Sequence, residues 1–456
     1  MSISVANPPA LDVCELHSAL SDLFGDTADR LARETYFCRR ARKLTGAVFA
    51  KSLVFCLLED PKSTLEDLAD FASKNLKVHA QPQSFDGRFN EQSAAFLQAL
   101  FAEAFALSFS ARPAVLPLLR RFDGAFVRDA SSVTLPACLA ETLPGRKGRG
   151  KDPAAALKLV LEMEVTTGQL TEADALAGLD NERTSEVSHK PLRKGSLLLE
   201  DMGFFSGDRM QEYVAQGVVV LTRVPAWTAV YDEKTGEQLD LVKLLRKAKG
   251  DRLERRVRIL AKQKLSLRLL AVRVPEEQAE KRRQRVREEA RKRGRPVSQK
   301  KLDLCGWNIL LTNATAEQIS LHEACELRRV RWQVELTFKA FKSGGGIEHT
   351  RSENGWRVLT ELYAKLLALV VRQWLLLGAG YVMLRHSVLR AARRVRKMAA
   401  DVVKALGSAQ KLAEELVSLA ALLWRRCKVQ RRRKTPSTFD RLAALDYHWR
   451  ALHPAA

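Results

Sequence analysis

The chain has 456 residues, enough for two to four domains, and its hydrophobic content of 46% is ordinary for a protein with a packed core. It contains 76 lysines and arginines against 53 acidic residues, a formal net charge of +23 at pH 7. This excess favours a polyanionic partner: nucleic acid is the commonest, and an anionic membrane surface is the competing candidate. The seven cysteines are scattered without a C-x-x-C pair, which argues against a disulfide framework or a zinc site and fits reduced thiols in a cytosol.

The sequence predicts neither a signal peptide nor a membrane-spanning helix. Residues 1–11 lack both the basic start and the apolar run of a signal peptide. The most apolar segment, residues 366–377, is interrupted by Arg372 and Gln373 and is shorter than the roughly 20 apolar residues that a bilayer span needs. We therefore expect a buried core helix, extending over residues 358–377.

Residues 1–115 are predicted to form a helical N-terminal region. Ser63-Thr64-Leu65-Glu66 has the pattern of a capping box that opens a helix over residues 65–73. A cluster of four cations precedes it, made of Arg39, Arg40, Arg42 and Lys43. Helices with clustered cations can form a DNA-binding module, but small helical domains without that role are common, so both interpretations stay open.

Residues 116–224 change to a β pattern, with strands predicted at residues 125–129, 160–165, 196–201 and 217–224. Helical segments between some of these strands indicate an α/β sheet. The first strand is expected to end at Asp129 and the third at Asp201. Functional groups in open α/β sheets gather beyond the carboxyl ends of the strands, although a single aspartate there is more often a turn or cap residue.

Residues 225–312 alternate in a way that predicts a β-rich insertion, with paired strands at residues 265–274 and 304–312. Residues 280–301, between these strands, are dense in arginine and lysine, and Gly294 and Pro296 limit any helix there. This basic segment is either a solvated arm or an arm that faces DNA, whose cations would release counterions condensed on phosphates.

The rest of the chain is predicted to be helical, as residues 313–385 and a basic C-terminal region, residues 386–456, with a run of cations at 431–434. A helix over residues 327–342 carries two stripes at spacings of three and four. The apolar stripe contains Leu327, Val330, Val334, Phe338 and Phe341. The charged stripe has one acid, Glu335, among the cations Arg328, Arg331, Lys339 and Lys342. A solvated face, with ion pairs worth about 0.2–0.5 kcal/mol each, is the alternative to a functional site.

Three acids, Asp129, Asp201 and Glu335, are together suited to binding divalent metal ions. The histidines and cysteines are dispersed, so carboxylates are the ligands available, and these suit magnesium or manganese. Two such ions about 3.5–4 Å apart can activate an attacking oxygen and stabilise a leaving oxygen at phosphate. Cations around Glu335 suit phosphate binding, so the pattern indicates chemistry on a nucleic-acid backbone.

Several short segments together carry a resemblance to a known family. Arg331, Glu335 and Lys342 match the Arg, Glu and Lys of a Y-x2-R-x3-E-x6-K signature at its spacing. Residues 127–132 and 199–204 look like the segments around the first and second aspartates, and residues 310–313 and 40–44 match two further motifs. Over most of its length the chain therefore resembles the DDE transposases of bacterial insertion sequences, in the insertion-sequence-four group.

The resemblance implies an α/β fold: an RNase H-like catalytic core interrupted by the β-rich insertion, with helical N- and C-terminal regions. It implies that Asp129, Asp201 and Glu335 are catalytic and bind two Mg²⁺ (or Mn²⁺) ions. The implied activity is cleavage at transposon ends and strand transfer into target DNA, in some members through a DNA hairpin. The implied partners are these double-stranded DNAs and, in the DNA complex, a second copy of the chain. The expected location is the bacterial cytoplasm, at the nucleoid.

The resemblance also implies contacts to DNA by Arg331, Lys339 and Lys342. Trp307 lies at the matching distance before Glu335 for a tryptophan that stacks on a flipped base, and an aromatic packed in a strand is the alternative. Two positions depart from the pattern. The tyrosine of the signature is Arg328, a cation that can still reach phosphate, and the arginine often found after the second aspartate is Met202.

Two other functions remain open from the sequence. A catalytically inactive, transposase-derived DNA-binding protein would have the same basic surface but no need for three well-placed acids. A structure-selective nuclease on the same core would cut branched DNA without preferring particular ends. Inverted repeats bounding the coding region would favour the transposase.

Overall fold

The computed structural model describes residues 11–40, 43–107, 109, 111–112, 116–146, 154–225, 228–259, 265–429 and 436–452. Arg42 of the N-terminal basic cluster and the cations at 431–434 lie outside these residues. The chain divides into two compact units. The first unit comprises Met1–Val115, Asp129–Asn181 and Trp332–Phe439, and the second comprises Leu116–Arg128, Glu182–Arg331 and Asp440–Ala456.

Described helices occur on both sides of residue 230. Those before it are α1 (Val13–Asp22), α2 (Ala28–Glu34), α3 (Gly46–Glu59), α4 (Leu65–Leu76), α5 (Pro82–Asp86), α6 (Glu91–Ala106), α7 (Glu186–His189) and α8 (Gly207–Ala215). Those after it are α9 (Leu241–Arg246), α10 (Glu276–Lys292), α11 (Gln299–Leu304), α12 (Leu321–Val330), α13 (Trp332–Lys339), α14 (Gly355–Gly378), α15 (Val388–Arg396), α16 (Ala399–Ala405), α17 (Ala409–Arg426) and α18 (Thr438–Leu452).

The described strands fall between residues 125 and 312. They are β1 (Ala125–Leu135), β2 (Ala155–Glu164), β3 (Leu170–Ala177), β4 (Leu197–Glu200), β5 (Val219–Arg223), β6 (Val230–Asp232), β7 (Gln238–Leu239), β8 (Arg252–Ile259), β9 (Leu265–Arg273) and β10 (Trp307–Thr312). The described residues thus form a mixed α/β structure, in which residues 13–106 and 321–452 contain helices and the strands lie between residues 125 and 312.

The first unit is built around the long apolar helix α14. Most of this helix is buried, including Arg372 and Gln373, and it packs against α3 and α6. Gln373 donates a hydrogen bond to the backbone carbonyl of Gly168, which satisfies a polar group inside an apolar helix. The buried core helix predicted over residues 358–377 is thus confirmed, and no described helix is long and apolar enough to cross a membrane.

Helix α4 begins at Leu65 as predicted, but its capping residue differs from the prediction by one position. Thr64, rather than Ser63, is the N-cap, and it exchanges hydrogen bonds with Asp67 at the third helical position. Asp67 accepts from the Thr64 backbone N–H at 2.7 Å, and these bonds hold the pKa of the Asp67 carboxyl below its ordinary value. The predicted pairing of Ser63 with Glu66 was therefore wrong by one position.

The second unit contains a mixed sheet in the order β1-β4-β5-β10-β9-β8-β6-β7. Strands β1, β4 and β5 are parallel, with Arg128 opposite Glu200 and Glu200 opposite Thr222. All residues of β4 are buried, as expected for a strand covered on both faces. Strand β10 pairs antiparallel with both β5 and β9, so the predicted pairing of residues 265–274 with 304–312 is confirmed and continues the same sheet.

Two strand boundaries differ from the prediction. Strand β1 continues past Asp129 to Leu135, because the small and β-branched residues that follow keep an extended, half-buried pattern without a continuous apolar run. Strand β10 begins at Trp307, since Ser298 caps the short helix α11 and residues up to Leu304 are helical. Asp201, by contrast, directly follows β4 as predicted.

The helix predicted over residues 327–342 is interrupted. Helix α12 ends at Val330, helix α13 runs from Trp332 to Lys339, and a π-helical turn covers Ala340–Gly344. Arg331, the residue between α12 and α13, has right-handed helical dihedral angles (φ −53°, ψ −30°). The predicted apolar stripe is buried at all five positions, Leu327, Val330, Val334, Phe338 and Phe341.

The basic segment over residues 280–301 is mainly helical. Helix α10 ends at Lys292, and Gly294 follows with φ of +61°, a backbone conformation that favours glycine. Several of its cations pair with acids of the same helix, among them Arg287 with Glu280 at 2.9 Å and Arg293 with Glu289 at 2.6 Å. These ion pairs partly neutralise the segment, which leaves both predicted roles, solvated arm and DNA-facing arm, in place.

His386, in the first unit, is a buried histidine whose pKa is lowered by its surroundings. Its side chain is buried, and its Nδ1 accepts a hydrogen bond from the backbone N–H of Val382 at 2.9 Å. Burial, followed by the charges of Arg385 and Lys428, lowers the pKa of His386 from 6.5 to about 4. His386 is therefore neutral in the folded chain at any pH well above 4.

We expect the thermal stability advantage of the wild-type chain over His386→Gln to shrink as pH falls from 7 to 5. Below the unfolded pKa of 6.5 the unfolded chain binds a proton that the folded chain excludes, so stability is lost down to the folded pKa of about 4. The loss by pH 5 amounts to roughly 2 kcal/mol, and glutamine does not titrate. A difference in melting temperature that stays constant between the two pH values would contradict this account.

Candidate functional site

Asp201 is positioned by the end of a buried strand. It follows β4 directly, with extended dihedral angles, and precedes a 3₁₀ turn over Met202–Phe204. One carboxylate oxygen, Oδ1, is buried and accepts no hydrogen bond from any described residue. A buried polar atom without a partner costs about 1–3 kcal/mol, so this oxygen is suited to a ligand. A carboxylate oxygen of this kind fits Mg²⁺ or Mn²⁺.

A buried ion pair fixes the strand that leads to Asp201. Arg128 on β1 lies opposite Glu200 on β4, with 3.6 Å between the guanidinium and the carboxylate. Arg128 is fully buried and donates to the backbone carbonyls of Lys190 at 3.0 Å and Ser188 at 3.4 Å, and also to the Tyr213 hydroxyl. Removing one partner of such a pair costs about 3–5 kcal/mol, so it strongly fixes the register of β1 on β4.

The first unit contains the other two acids and two of the cations. Asp129 lies within β1, half-buried, and its carboxylate accepts from the backbone N–H of Ala130 at 3.0 Å. Lys342, in the π-helical turn, donates to the carbonyl of Ser132 on the same strand and lies 3.4 Å from Glu348. The fold thus brings Lys342 to the strand that carries Asp129.

Helix α13 presents Glu335 at its partly exposed face, and Lys339 one turn later is exposed. Both side chains take part in further interactions, as does Arg331. Among the described residues, no three His, Cys, Asp or Glu side chains come together as a group that could hold a metal ion.

Arg328 belongs to a cluster of arginines that the sequence did not reveal. Its guanidinium Nη1 donates to Asn308 Oδ1 at 3.0 Å, and Arg282 Nη2 donates to the same oxygen at 2.9 Å. Burial lowers the pKa of Arg328 to about 10. The charges of Arg223, Arg282 and Arg331 act in the same direction, and the charge of Asp201 opposes them. Arg328 stays protonated near pH 7.

Three members of this cluster were missed because they carry no distinctive local signal. Arg282 lies in a run of similar cations, and Arg223 ends an apolar strand. Asn308 is a single polar residue within β10. Only the folding of α10, α12, β5 and β10 in the second unit brings these residues together.

Trp307 lies in the core of the second unit. Its side chain is 7% exposed and packs in the hydrophobic cluster, with the Arg273 guanidinium 4.6 Å from the ring centre. This is the arrangement expected for an aromatic packed in a strand. Stacking on a DNA base would require the ring to leave this position.

Comparison with known proteins extends over most of the chain. Residues 125–371 match the transposase DDE domain family. The transposase for insertion sequence element IS231F of Bacillus thuringiensis subsp. israelensis is 28% identical over 366 residues, 75% of each chain. The transposase for IS231C of Bacillus thuringiensis subsp. berliner is 26% identical over 81% of this chain and 80% of its own, and that for IS1151 of Clostridium perfringens is 25% identical over 75% and 76%. The chain therefore belongs to the DDE transposase family of insertion sequences.

Proposed function

We propose that this transposase cuts DNA at the ends of its element and joins those ends to target DNA, by cut-and-paste transposition that can pass through a hairpin intermediate. The observation that carries the proposal is the buried Oδ1 of Asp201, which accepts no hydrogen bond from any residue that the structure describes. The charge of Asp201 also acts on Arg328. A metal-binding oxygen beside phosphate-binding cations is the arrangement that phosphodiester chemistry needs. The relatives are transposases, which supports DNA as the substrate.

In the proposed mechanism Asp129, Asp201 and Glu335 bind two Mg²⁺ or Mn²⁺ ions. When bound, such ions activate the attacking oxygen and stabilise the leaving oxygen at phosphate. Within the second unit Arg128 lies opposite Glu200, and Asp129 and Asp201 are the residues that follow these two in the sequence. The proposal requires all three carboxylates to come together when DNA and metal bind.

Cations around these acids would bind the DNA backbone. Arg331 and Lys342 are proposed to contact phosphates near the cut, and the exposed Lys339 to contact DNA one turn beyond Glu335. Guanidinium and ammonium groups stabilise the charge that develops on phosphate during displacement. The chain's own contribution is thus to orient the phosphate and to hold its negative charge.

The architecture proposed for this activity is an RNase H-like core, residues 116–224 and 313–385, interrupted by the β-rich insertion at 225–312. The parallel strands β1, β4 and β5 support the core, and the antiparallel strands β6–β10 support the insertion. Residues 1–115 and 386–456 are the proposed helical N-terminal DNA-binding and basic C-terminal regions. We further propose that two copies act together on two DNA ends, in the bacterial cytoplasm at the nucleoid.

A catalytically inactive DNA-binding protein derived from a transposase is the second candidate. The net charge of +23 favours it as much as it favours the enzyme. Incubation of the full chain with duplexes that end in the repeats bounding its coding region, with Mg²⁺, separates the two. Cleavage at the repeat ends supports the transposase, binding without cleavage supports the inactive protein, and cutting of branched DNA alone supports a structure-selective nuclease.

Asp201→Asn is expected to abolish Mg²⁺-dependent cleavage of these ends while leaving their binding within about threefold of wild type. The amide keeps the shape of the side chain but is a far weaker metal ligand than a carboxylate. The measurement is single-turnover cleavage beside a binding isotherm with Ca²⁺ in place of Mg²⁺. Asp208→Asn, on α8 of the same unit, is the matched control because Asp208 is exposed and has no role in the proposal. Cleavage by Asp201→Asn at the wild-type rate would exclude Asp201 as a metal ligand.

Trp307→Leu is expected to impair end processing, including any hairpin step, more than it impairs DNA binding. Leucine keeps an apolar side chain in the core but cannot stack on a base, an interaction worth roughly 1–3 kcal/mol. Processing is compared with the fraction of protein that is folded, since a smaller side chain also weakens packing. Unchanged processing per folded molecule would assign Trp307 to the core alone.

A further inference from the structure

The second unit contains two guanidinium groups that share one neutral acceptor. Arg282 on α10 and Arg328 on α12 both donate to Asn308 Oδ1, at 2.9 and 3.0 Å. Arg282 also donates weakly to the carbonyls of Cys305 and Trp307, at 3.5 and 3.4 Å. The amide oxygen orients the two groups without neutralising either charge.

The positive charge of this pair is not balanced by nearby acids. Within the part of the chain that the structure describes, neither Arg282 nor Arg328 has a carboxylate within ion-pair distance. Arg223 adds a third positive charge that acts on both, and Asp201 is the acid whose charge acts on Arg328. Burial depresses the pKa of both Arg282 and Arg328, and the charge of Arg223 acts on both in the same direction. The charge of Arg282 also lowers the pKa of Arg328. Part-buried like charges that share one neutral acceptor are costly unless an anion compensates them.

We propose that Arg282 and Arg328, oriented by Asn308, form a binding site for one phosphodiester group of the DNA, with Arg223 adding to its field. Guanidinium groups match the geometry of phosphate oxygens and are readily desolvated, which suits a half-buried site. This inference rests on the proposed function, because the charge of Asp201, the proposed metal ligand, acts on Arg328. It assigns to Arg328 the binding of a phosphate together with Arg282, a residue on a different helix.

The site does not depend on the other basic residues of α10. Arg283 and Arg287 on the same helix are paired with Glu276 and Glu280, so their charges are already compensated. Arg282 differs because it points to β10, where its acceptors are neutral. One residue of the basic segment thus has a defined partner, whatever the rest of that segment does.

Asn308→Asp tests the site with almost no change of shape. The new carboxylate would accept stronger, charge-assisted hydrogen bonds from Arg282 and Arg328. It would thereby neutralise positive charge that we propose binds the phosphate. We expect an unchanged or raised melting temperature and roughly tenfold weaker binding of an end duplex at 0.1 M salt, measured by fluorescence anisotropy with Ca²⁺. Gln284→Glu, exposed on α10, adds the same charge elsewhere and is expected to change affinity less than about twofold.

A duplex series with one methylphosphonate at each position in turn identifies the phosphate. At one position or two neighbouring positions, neutralising the phosphate should lower the affinity of the wild-type chain for the duplex roughly tenfold. The affinity of Asn308→Asp should not fall further at these positions. Affinity of Asn308→Asp within twofold of wild type, or additive losses at every position, would overturn the site. If the wild-type chain binds these duplexes but never cuts them in Mg²⁺, the proposed function fails. The binding measurements would still decide whether the phosphate site exists, because they do not require cleavage.

Discussion

The second unit depends on one buried charge interaction, the pairing of Arg128 with Glu200 across β1 and β4. Arg128 is fully buried and donates hydrogen bonds to two backbone carbonyls and the Tyr213 hydroxyl. A shift of strand β1 would therefore leave a buried guanidinium without these acceptors. A slip of one residue would also turn every side chain of the strand to the opposite face. The same interaction fixes the strand that ends next to Asp201. Stability and site geometry therefore depend on the same two residues.

Arg282 and Arg328, near β10, differ from Arg128 because no carboxylate of the described residues forms an ion pair with them. The charges of Arg128 and Glu200 compensate each other, whereas Arg282 and Arg328 share a neutral acceptor, and the charge of Arg223 acts on both of them. Such an excess is unfavourable in the isolated chain and becomes favourable when a polyanion occupies it. The buried carboxylate oxygen of Asp201, conversely, would be stabilised by a bound cation. A phosphodiester with its metal ions would satisfy both, which is why these features are best explained together.

Much of this architecture follows from local sequence patterns. The leucines of β4, the length of α14 and the stripe ending at Phe341 predict their own burial, because periodic apolar residues must face a core. The extension of β1 beyond Asp129 and the interruption at Arg331 were not predictable, since neither carries a glycine or proline signal. The arginine cluster was also missed: Arg282 and Arg328 are 46 positions apart, and an asparagine on a third element joins them. Contacts of this kind depend on tertiary structure, which no local pattern encodes.

The most direct test of the proposed metal site is a structure of the full chain bound to an end duplex with Mn²⁺, with the metal located by its anomalous scattering. We predict two manganese peaks about 3.5–4 Å apart, bound by Asp129, Asp201 and Glu335. We also predict the Oδ1 of Asp201 as a ligand of one of them. Manganese bound elsewhere, or a DNA complex in which these three carboxylates stay apart, would contradict the proposed site.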